Sequence, residues 1–138
     1  MTPETLTPPA VDGITERFDP IDCLDERTRQ LAGEGLPDTP GRYILIEGPE
    51  RSVVIPIGES AVHIGRGLSA DLHLDEKTVS RRHAILVSNP ARPSRGPRLL
   101  DDRSSNGTYV NGRRVQQADL SSGDVIVIGR VVLHYLEV

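Results

Sequence analysis

The feature that most constrains this fold is a series of short strand-like runs between residues 43 and 138, separated by Gly, Asn, Asp and Ser. In order, the runs are YILIE, SVVIPI, AVHI, LHL, HAILV, RLLDD, TYV, RRV, DVIVI and VVLHYLEV. Most of them are rich in Val, Ile and Leu, and β-branched residues favour strands. Many short strands at close spacing over about a hundred residues predict an all-β sandwich and argue against alternating strands and helices.

Two dipeptides predict tight hairpins inside this series. Asn111-Gly112 lies between TYV and RRV, and Gly129-Arg130 joins VIVI to VVLHYL. Two-residue hairpin loops need positive φ in the loop, a conformation that Gly and Asn adopt readily. We therefore expect the strands on either side of each dipeptide to pair antiparallel.

The first 41 residues differ from the rest in composition. They hold six prolines and few large apolar groups, with nine acidic and three basic side chains giving a net charge of −6. We predict an acidic, flexible tail over residues 1–41, followed by one domain over residues 42–138. Within the tail, residues 21–32 predict a short helix, because Ile21, Leu24 and Leu31 share one helical face and Gly33 can end it.

Charge and composition argue against several classes of function. Residues 42–138 hold thirteen basic and eleven acidic side chains, and this net charge of +2 lacks the basic excess of a nucleic-acid-binding protein. One Phe and three Tyr cannot build a base-stacking platform. The N-terminus resembles no secretory signal and no apolar run is long enough to cross a bilayer, so we expect a cytoplasmic protein without membrane contact. Cys23, the single cysteine, fits a reducing compartment.

Strand direction predicts which loops lie together. If residues 83–87 form a strand and residues 98–102 return as its antiparallel partner, the following loop DRSSNGT comes back beside Ser80. By the same argument, the loop GRGLSAD with Arg66 joins this end. We therefore expect three loops to converge on one rim, carrying Arg66, then Ser80 and Arg81, then Ser104, Ser105 and Asn106.

The residue types on this rim favour binding over catalysis. A guanidinium, hydroxyls, a carboxamide and glycine-rich backbone facing one point form a site for a tetrahedral oxyanion. A hydrolytic pair of Ser80 and His83 would need an orienting acid and an oxyanion hole, and neither is visible, so we expect no enzyme. His83 is instead expected to point inward and brace the Ser80 loop. His63, His73 and His83 lie in three separate segments without a Cys or carboxylate cluster, so no metal or other cofactor is expected.

Four fragments in fixed order resemble a known family. They are IGR at residues 64–66, SRRH at 80–83, SSNGTYVNG at 104–112 and GDVIVIG at 123–129. Together they resemble the forkhead-associated (FHA) domain, and the resemblance covers residues 43–138. It implies an eleven-stranded β-sandwich that binds phosphothreonine peptides through loops at one end.

The resemblance also implies a role for each matching residue. Arg66 resembles the family's phosphate-binding arginine, Ser80 its phosphate-binding serine, and Ser105 the Ser or Thr that contributes to the phosphate site. Asn106 resembles the asparagine that hydrogen-bonds the ligand main chain, and Arg81 occupies a position that often contacts the phosphate or the peptide backbone. Residues that the resemblance implies as structural support of the site are Gly65, His83, Gly107 and Asn111.

Two functional hypotheses follow from different classes. The first is a phosphothreonine-recognition module, an adaptor or regulator in Ser/Thr kinase signalling, whose partner is a phosphothreonine-containing protein such as a kinase or its substrate. The alternative is a phospho-independent interaction or self-association module that uses a sheet face and the helix at residues 21–32. The first requires the set Arg66, Ser80 and Asn106, whereas the second has no need of it.

The tail raises a separate hypothesis. Thr2, Thr5 and Thr7 lie among acidic and proline residues in MTPETLTPP. A Ser/Thr kinase that phosphorylates one of them would create an intramolecular ligand for Arg66 and Ser80, and hence a self-blocking switch. The alternative is an unmodified, solubilising linker.

Overall fold

The computed structural model describes residues 18–89 and 96–138, which contain twelve strands and one short α-helix. The strands, labelled here in chain order, are β1 (Gly33–Glu34), β2 (Arg42–Glu47), β3 (Ser52–Ile57), β4 (Val62–Gly65), β5 (Leu72–His73), β6 (Ala84–Val87), β7 (Arg98–Asp101), β8 (Thr108–Val110), β9 (Arg113–Val115), β10 (Gln117–Asp119), β11 (Val125–Ile128) and β12 (Val131–Glu137). A 3₁₀ turn at Pro20–Cys23 and helix α1 (Glu26–Leu31) precede them. None of the helical segments in these two ranges is long and apolar enough to span a membrane.

The strands form two sheets. Sheet A has seven strands in the order β9-β8-β11-β12-β2-β3-β1, and sheet B has five in the order β10-β7-β6-β4-β5. Every pairing is antiparallel except that of β4 with β5. The predicted all-β sandwich is therefore confirmed.

Residues alternate between the core and the surface along the longer strands, as a sheet with one covered face requires. In β12, Val131, Leu133 and Tyr135 are fully buried, while the residues between them are partly exposed. The core lies between the sheets and includes Ile44, Ile46, Leu86, Leu99, Ile126 and Ile128.

The number of strands in the part of the chain that resembles the family matches the expected number. The resemblance implied eleven strands over residues 43–138, and eleven of the twelve described strands begin at or after Arg42. The additional strand is β1, two residues long, which pairs with Val53 and Val54 of β3 at the edge of sheet A. It lies within the predicted tail.

The described part of the predicted tail packs on the sandwich. Ile21 and Leu24 are each only 4% exposed and belong to the main core cluster. The prediction of a flexible tail therefore does not describe this part, because these two side chains bury their apolar surface against the sheets. Residues 1–17, which include Thr2, Thr5 and Thr7, lie outside the described residues.

The predicted helix over residues 21–32 is divided in two. Leu24 is extended, and α1 begins only after Asp25, whose carboxylate accepts from the backbone N–H of Thr28. The prediction that Leu31 shares the buried face is wrong, because the break changes the helical phase and leaves Leu31 56% exposed. Gly33 does not cap the helix, since it lies in β1.

Both predicted hairpins are confirmed. Asn111 and Gly112 have φ values of 52° and 83°, and they connect the antiparallel pair β8 and β9. Gly129 has φ of 60° and connects β11 to β12, with Ile128 opposite Val131. Strands β6 and β7 also pair antiparallel, as the loop argument assumed.

Candidate functional site

Two of the predicted loops lie side by side along their backbones. The N–H of Arg66 donates to the carbonyl of Ser80 at 2.9 Å, and the N–H of Gly67 donates to the carbonyl of Arg81 at 3.0 Å. The N–H of His83 donates to Ile64 at 3.0 Å, which extends the same ladder from β4. Arg66 and Ser80 are therefore held together by main-chain bonds.

Gly65 permits this close approach. A Cβ atom at residue 65 would lie 2.2 Å from the carbonyl oxygen of Arg81 and 3.0 Å from that of Ser80. Real Cβ atoms do not come so close to backbone oxygen, so any other residue would push the two loops apart. Gly65 thus supports the rim through its lack of a side chain.

His83 connects the second loop to the third. Its ring is fully buried, Nδ1 accepts from the N–H of Ser80 at 3.0 Å, and Nε2 lies 2.9 Å from the carbonyl of Gly107. Because Nδ1 accepts, the proton is on Nε2 and the ring is neutral. Burial lowers the pKa of His83 below its ordinary value, although the bond to Gly107 and the charge of Asp101 act in the opposite direction.

The third loop reaches the other two through Ser105 and Asn106. The backbone N–H of Ser105 donates to the hydroxyl of Ser80 at 2.9 Å. The side-chain amide of Asn106 donates to the carbonyl of Thr78 at 2.8 Å. Ser105 and Asn106 are both exposed at this end of the sandwich. The convergence predicted from strand direction is therefore present.

The three arginines near the rim are in different environments. The Nε atom of Arg66 donates to the carbonyl of Val79 at 2.9 Å, and among the described residues no hydrogen bond engages its terminal nitrogens. Arg81 is exposed beside it. Arg82, for which the sequence indicated no role, forms an ion pair with Asp102 at 2.9 Å.

Asp101 anchors the start of the third loop. Its carboxylate accepts from the hydroxyl of Ser104, from the N–H of Ser104 at 3.2 Å, and from the hydroxyl of Thr108 at 2.7 Å. Burial raises the pKa of Asp101, but the bonds from Ser104 and Thr108 outweigh this effect and hold the pKa below its ordinary value. Ser104 thus belongs to the turn that presents Ser105.

Asn111, one of the residues expected to support the site, lies at the far end of β8 from Gly107. Its side-chain oxygen accepts from the N–H of Val125 at 2.9 Å, and its amide donates to Asp124 at 3.1 Å. It therefore ties the β8–β9 hairpin to β11, and none of its side-chain hydrogen bonds within residues 18–89 and 96–138 reaches the rim. Gly107, in contrast, borders the site, where its carbonyl meets His83.

Sequence reasoning assigned no supporting role to four residues around the site, which are His73, Glu76, Thr78 and Arg130. Glu76 is only 6% exposed, and its carboxylate accepts from Thr78 and pairs with Arg130 at 2.9 Å. The ring of His73 lies 2.9 Å from the carbonyl of Arg66. Glu76 and Arg130 are separated by 54 residues, so no local pattern indicates their pairing. The only sequence signal for this network is the Glu-x-Thr spacing of Glu76 and Thr78, two residues before Ser80.

The described residues around the rim provide donors and positive charge. Arg66 and Arg81 supply cations, Ser80 and Ser105 supply hydroxyls, and Asn106 supplies a carboxamide. Such a set suits a tetrahedral anion attached to an extended chain, because arginine and hydroxyl donors match phosphate oxygens. Within residues 18–89 and 96–138, no three His, Cys, Asp or Glu side chains are grouped to hold a metal ion.

Comparison with protein-family models matches residues 62–129 to the FHA domain. The oxoglutarate dehydrogenase inhibitor of Corynebacterium jeikeium is 35% identical over 103 residues, which are 75% of this chain and 69% of the inhibitor. The glycogen accumulation regulator GarA of Mycobacterium tuberculosis is 35% identical over 105 residues, 75% of this chain and 61% of GarA. The ABC transporter ATP-binding/permease protein Rv1747 of the same organism is 44% identical over 77 residues, 56% of this chain but only 8% of the transporter.

Solved structures show the same fold. An FHA domain studied for phosphothreonine-dependent interactions has a TM-score of 0.62 and 29% identity, covering 70% of this chain and 96% of that domain. Mycobacterium tuberculosis EmbR, solved with a low-affinity phosphopeptide, has a TM-score of 0.60 and 30% identity, covering 70% of this chain and 24% of EmbR. With the matched motif residues, the sandwich topology and a relative of similar extent, this chain belongs to the FHA family.

Proposed function

We propose that this protein is a phosphothreonine-peptide recognition module that acts as an adaptor or regulator in Ser/Thr kinase signalling. The observation that carries the proposal is the meeting of Arg66, Ser80, Ser105 and Asn106 on one exposed rim. Arg66 and Ser80 bind the phosphate, and Arg81 adds positive charge next to them. Asn106 binds the main chain of the ligand.

The chemistry of the ligand matches these donors. A phosphothreonine carries nearly two negative charges at neutral pH and three acceptor oxygens. A charge-assisted hydrogen bond contributes about 1.5–3 kcal/mol, so three or four of them, less the cost of ordering the peptide, give a Kd on the order of micromolar. The site is preorganised by main-chain bonds, which lowers that ordering cost for the protein.

A cavity beside the rim offers room for a neighbouring side chain of the ligand. Its volume is about 320 Å³, and its lining includes His63, Ser69 and Arg81. Two loop segments, residues 68–71 and 75–78, border the rim. We expect them to select the residues that flank the phosphothreonine.

Relatives support a regulatory role. Their names describe an oxoglutarate dehydrogenase inhibitor and a glycogen accumulation regulator, and EmbR was solved with a phosphopeptide. We infer that the partner of this protein is a phosphothreonine-containing protein, either a Ser/Thr kinase or one of its substrates. The protein itself performs no catalysis in this role.

Titration calorimetry against a peptide library tests the proposal. Phosphothreonine peptides should bind, whereas the same peptides with phosphoserine or unmodified threonine should bind at least about tenfold more weakly. Arg66→Ala should abolish binding. The control Arg98→Ala should retain it, because Arg98, on β7, pairs with Asp119 of β10 away from the rim. A wild-type protein that binds no phosphopeptide in the library would refute the proposal.

The tail hypothesis extends this function. Phosphorylation of Thr2, Thr5 or Thr7 would give the protein an intramolecular ligand that competes with its partner. NMR of the tail-phosphorylated protein tests it, since the amide shifts of Arg66 and Ser80 should move relative to the unmodified form. Unchanged shifts would leave the tail as a linker.

The outer face of sheet A favours a second candidate function, phospho-independent association. Leu45, Val127 and Val132 lie on this face, and each is partly exposed. An apolar sheet face of this kind suits a protein partner or a second copy of the chain. This function predicts association that survives both phosphatase treatment and Arg66→Ala. A pull-down with the wild type and Arg66→Ala in parallel, with and without phosphatase, distinguishes it from phosphothreonine recognition.

A further inference from the structure

Residues 18–31 contact the chain segments that form and support the ligand site. This segment precedes residues 62–129, the part of the chain that matches the family model. Its contacts reach the site in three places, through Arg27 and Asp25, through Cys23 and Leu24, and through Phe18. The first two contacts end on the chain segments that carry Arg66 and Ser80, and the third ends on Arg130 in the β11–β12 turn, which is linked to Asn106 through Glu76 and Thr78.

The first contact holds the loop of Arg66. The guanidinium of Arg27 donates to the carbonyl of Ala70 at 2.8 Å. The carboxylate of Asp25 lies 3.9 Å from Nδ1 of His73, whose Nε2 donates to the carbonyl of Arg66 at 2.9 Å. Helix α1 therefore holds the Ala70 end of the loop between β4 and β5 through Arg27, and Asp25 lies beside the ring of His73 at a distance too long for a hydrogen bond.

The second contact lies on the chain that leads from β5 to Ser80. The N–H of Asp75 donates to the carbonyl of Cys23 at 2.9 Å, and Leu24 forms a β-bridge with Leu74. Leu24 and Leu74 are both buried, at 4% and 0% exposure. The segment thus adds a short extended stretch beside the chain that continues into the Ser80 loop.

The third contact reaches Asn106 in four steps. The ring of Phe18 lies 4.0 Å from the guanidinium carbon of Arg130, which pairs with Glu76 at 2.9 Å. The same carboxylate accepts from the N–H of Thr78 at 2.8 Å and from its hydroxyl. The carbonyl of Thr78 then accepts from the amide of Asn106. Glu76 is buried, so this network holds Thr78 in a single arrangement.

We propose that residues 18–31 are a positioning element of the phosphopeptide site, coupled to Asn106 through Arg130, Glu76 and Thr78. The inference rests on the proposed function and adds residues that lie outside the family-matched region. Phe18, Arg27 and Glu76 act here as positioning residues, since none of them lies on the rim. The affinity for phosphothreonine peptides then depends on a segment that the site motifs do not include.

Helix α1 offers a matched pair of variants. Arg27 donates to the backbone carbonyl of Ala70 in the loop that carries Arg66. Arg29, on the same helix, donates to the backbone carbonyl of Asp22 within residues 18–31. In the full chain, Arg27→Ala and Phe18→Ala should each weaken binding of a phosphothreonine peptide about three- to tenfold, measured well below the unfolding temperature. Arg29→Ala should change the affinity less than about twofold. Equal affinities for all three variants and the wild type would overturn the proposal.

A double-mutant cycle separates positioning from general stability. Glu76→Gln should weaken peptide binding about three- to tenfold in the wild-type background but much less in the Asn106→Ala background, because the network acts through Asn106. Additive losses would overturn that coupling. If Glu76→Gln does not fold, Arg130→Gln makes the same comparison, because Arg130 is the more exposed residue of the pair.

NMR without any peptide keeps this inference separate from the proposed function. In the free protein, Phe18→Ala and Glu76→Gln should shift the side-chain amide signal of Asn106, and Arg29→Ala should not. A wild type that binds no phosphopeptide but shows these shifts would refute the proposed function while leaving the positioning network in place. An Asn106 amide signal that is the same in the wild type, Phe18→Ala and Glu76→Gln would refute the network.

Discussion

The hydroxyl of Ser80 accepts a hydrogen bond from the backbone N–H of Ser105 at 2.9 Å. A side chain expected to bind the ligand therefore also joins two of the loops that form the site. Ser105 is exposed, so water can take over its N–H when the hydroxyl is removed. The two roles of Ser80 can thus be measured separately.

Ser80→Ala should lose ligand binding and keep most of its stability. The lost bond to Ser105 should cost about 0.5–1.5 kcal/mol of unfolding free energy, because the donor left behind is solvated. Binding of a phosphothreonine peptide should fall below detection. Urea unfolding and calorimetry on the same samples make the comparison. A loss of stability of about 3 kcal/mol or more would mean that the hydroxyl is chiefly structural.

Gly65→Ala should disrupt both the fold and the site. The new Cβ would lie 2.2 Å from the carbonyl oxygen of Arg81, so the loops of Arg66 and Ser80 must separate. We expect a loss of about 1–3 kcal/mol and much weaker peptide binding. Gly58→Ala is the control, because nothing lies within 4 Å of a Cβ at that position. Equal melting temperatures for the two variants would contradict the role given to Gly65.

His83 should make stability fall as the pH falls below about 6.5. Its pKa in the folded protein lies below the ordinary value of 6.5, so the unfolded chain binds more protons in this range. Stability therefore rises with pH until the unfolded histidine is neutral. Urea unfolding at about pH 7.5 and pH 5.5 should show this loss in the wild type and a smaller one in His83→Gln. Identical pH dependence in both proteins would show that His83 titrates normally when folded.

Asp101→Ala should destabilise the protein more than the neighbouring Asp102→Ala. Removing Asp101 leaves the fully buried hydroxyl of Thr108 without its acceptor, at a cost of about 1–3 kcal/mol. Asp102 pairs with Arg82, whose side chain is 75% exposed, and such a pair contributes about 1 kcal/mol or less. Thermal unfolding of both variants decides the order. The reverse order would mean that Asp101 does not anchor the loop.

Much of the fold and rim could be predicted because the signals are local. Asn111 and Gly112 specify their hairpin through φ alone, and the alternation after His83 places its ring inside. Once β6 and β7 pair, the position of Ser105 beside Ser80 follows from strand direction. Short-range rules of this kind need no knowledge of distant parts of the chain.

The remaining features depend on contacts between distant segments. Arg130 and Glu76 meet only because the β11–β12 turn lies over the chain that leads to Ser80. Leu24 and Leu31 carry equivalent side chains, yet one is buried and the other exposed, because the helix starts after Leu24. The phase of a six-residue helix is set by what it packs against, and this information is not in its own sequence.

The place of β12 in sheet A has a consequence for biosynthesis. This strand lies between β2 and β11, so Tyr135 pairs with Ile44, more than ninety positions earlier in the chain. On the ribosome, β2 and β3 can pair as soon as both have emerged, but β12 cannot join β2 to β11 until residue 137 has left the exit tunnel. Until then the inner faces of both sheets remain open to solvent, and chaperones that cover apolar strands have their period of access to the nascent chain.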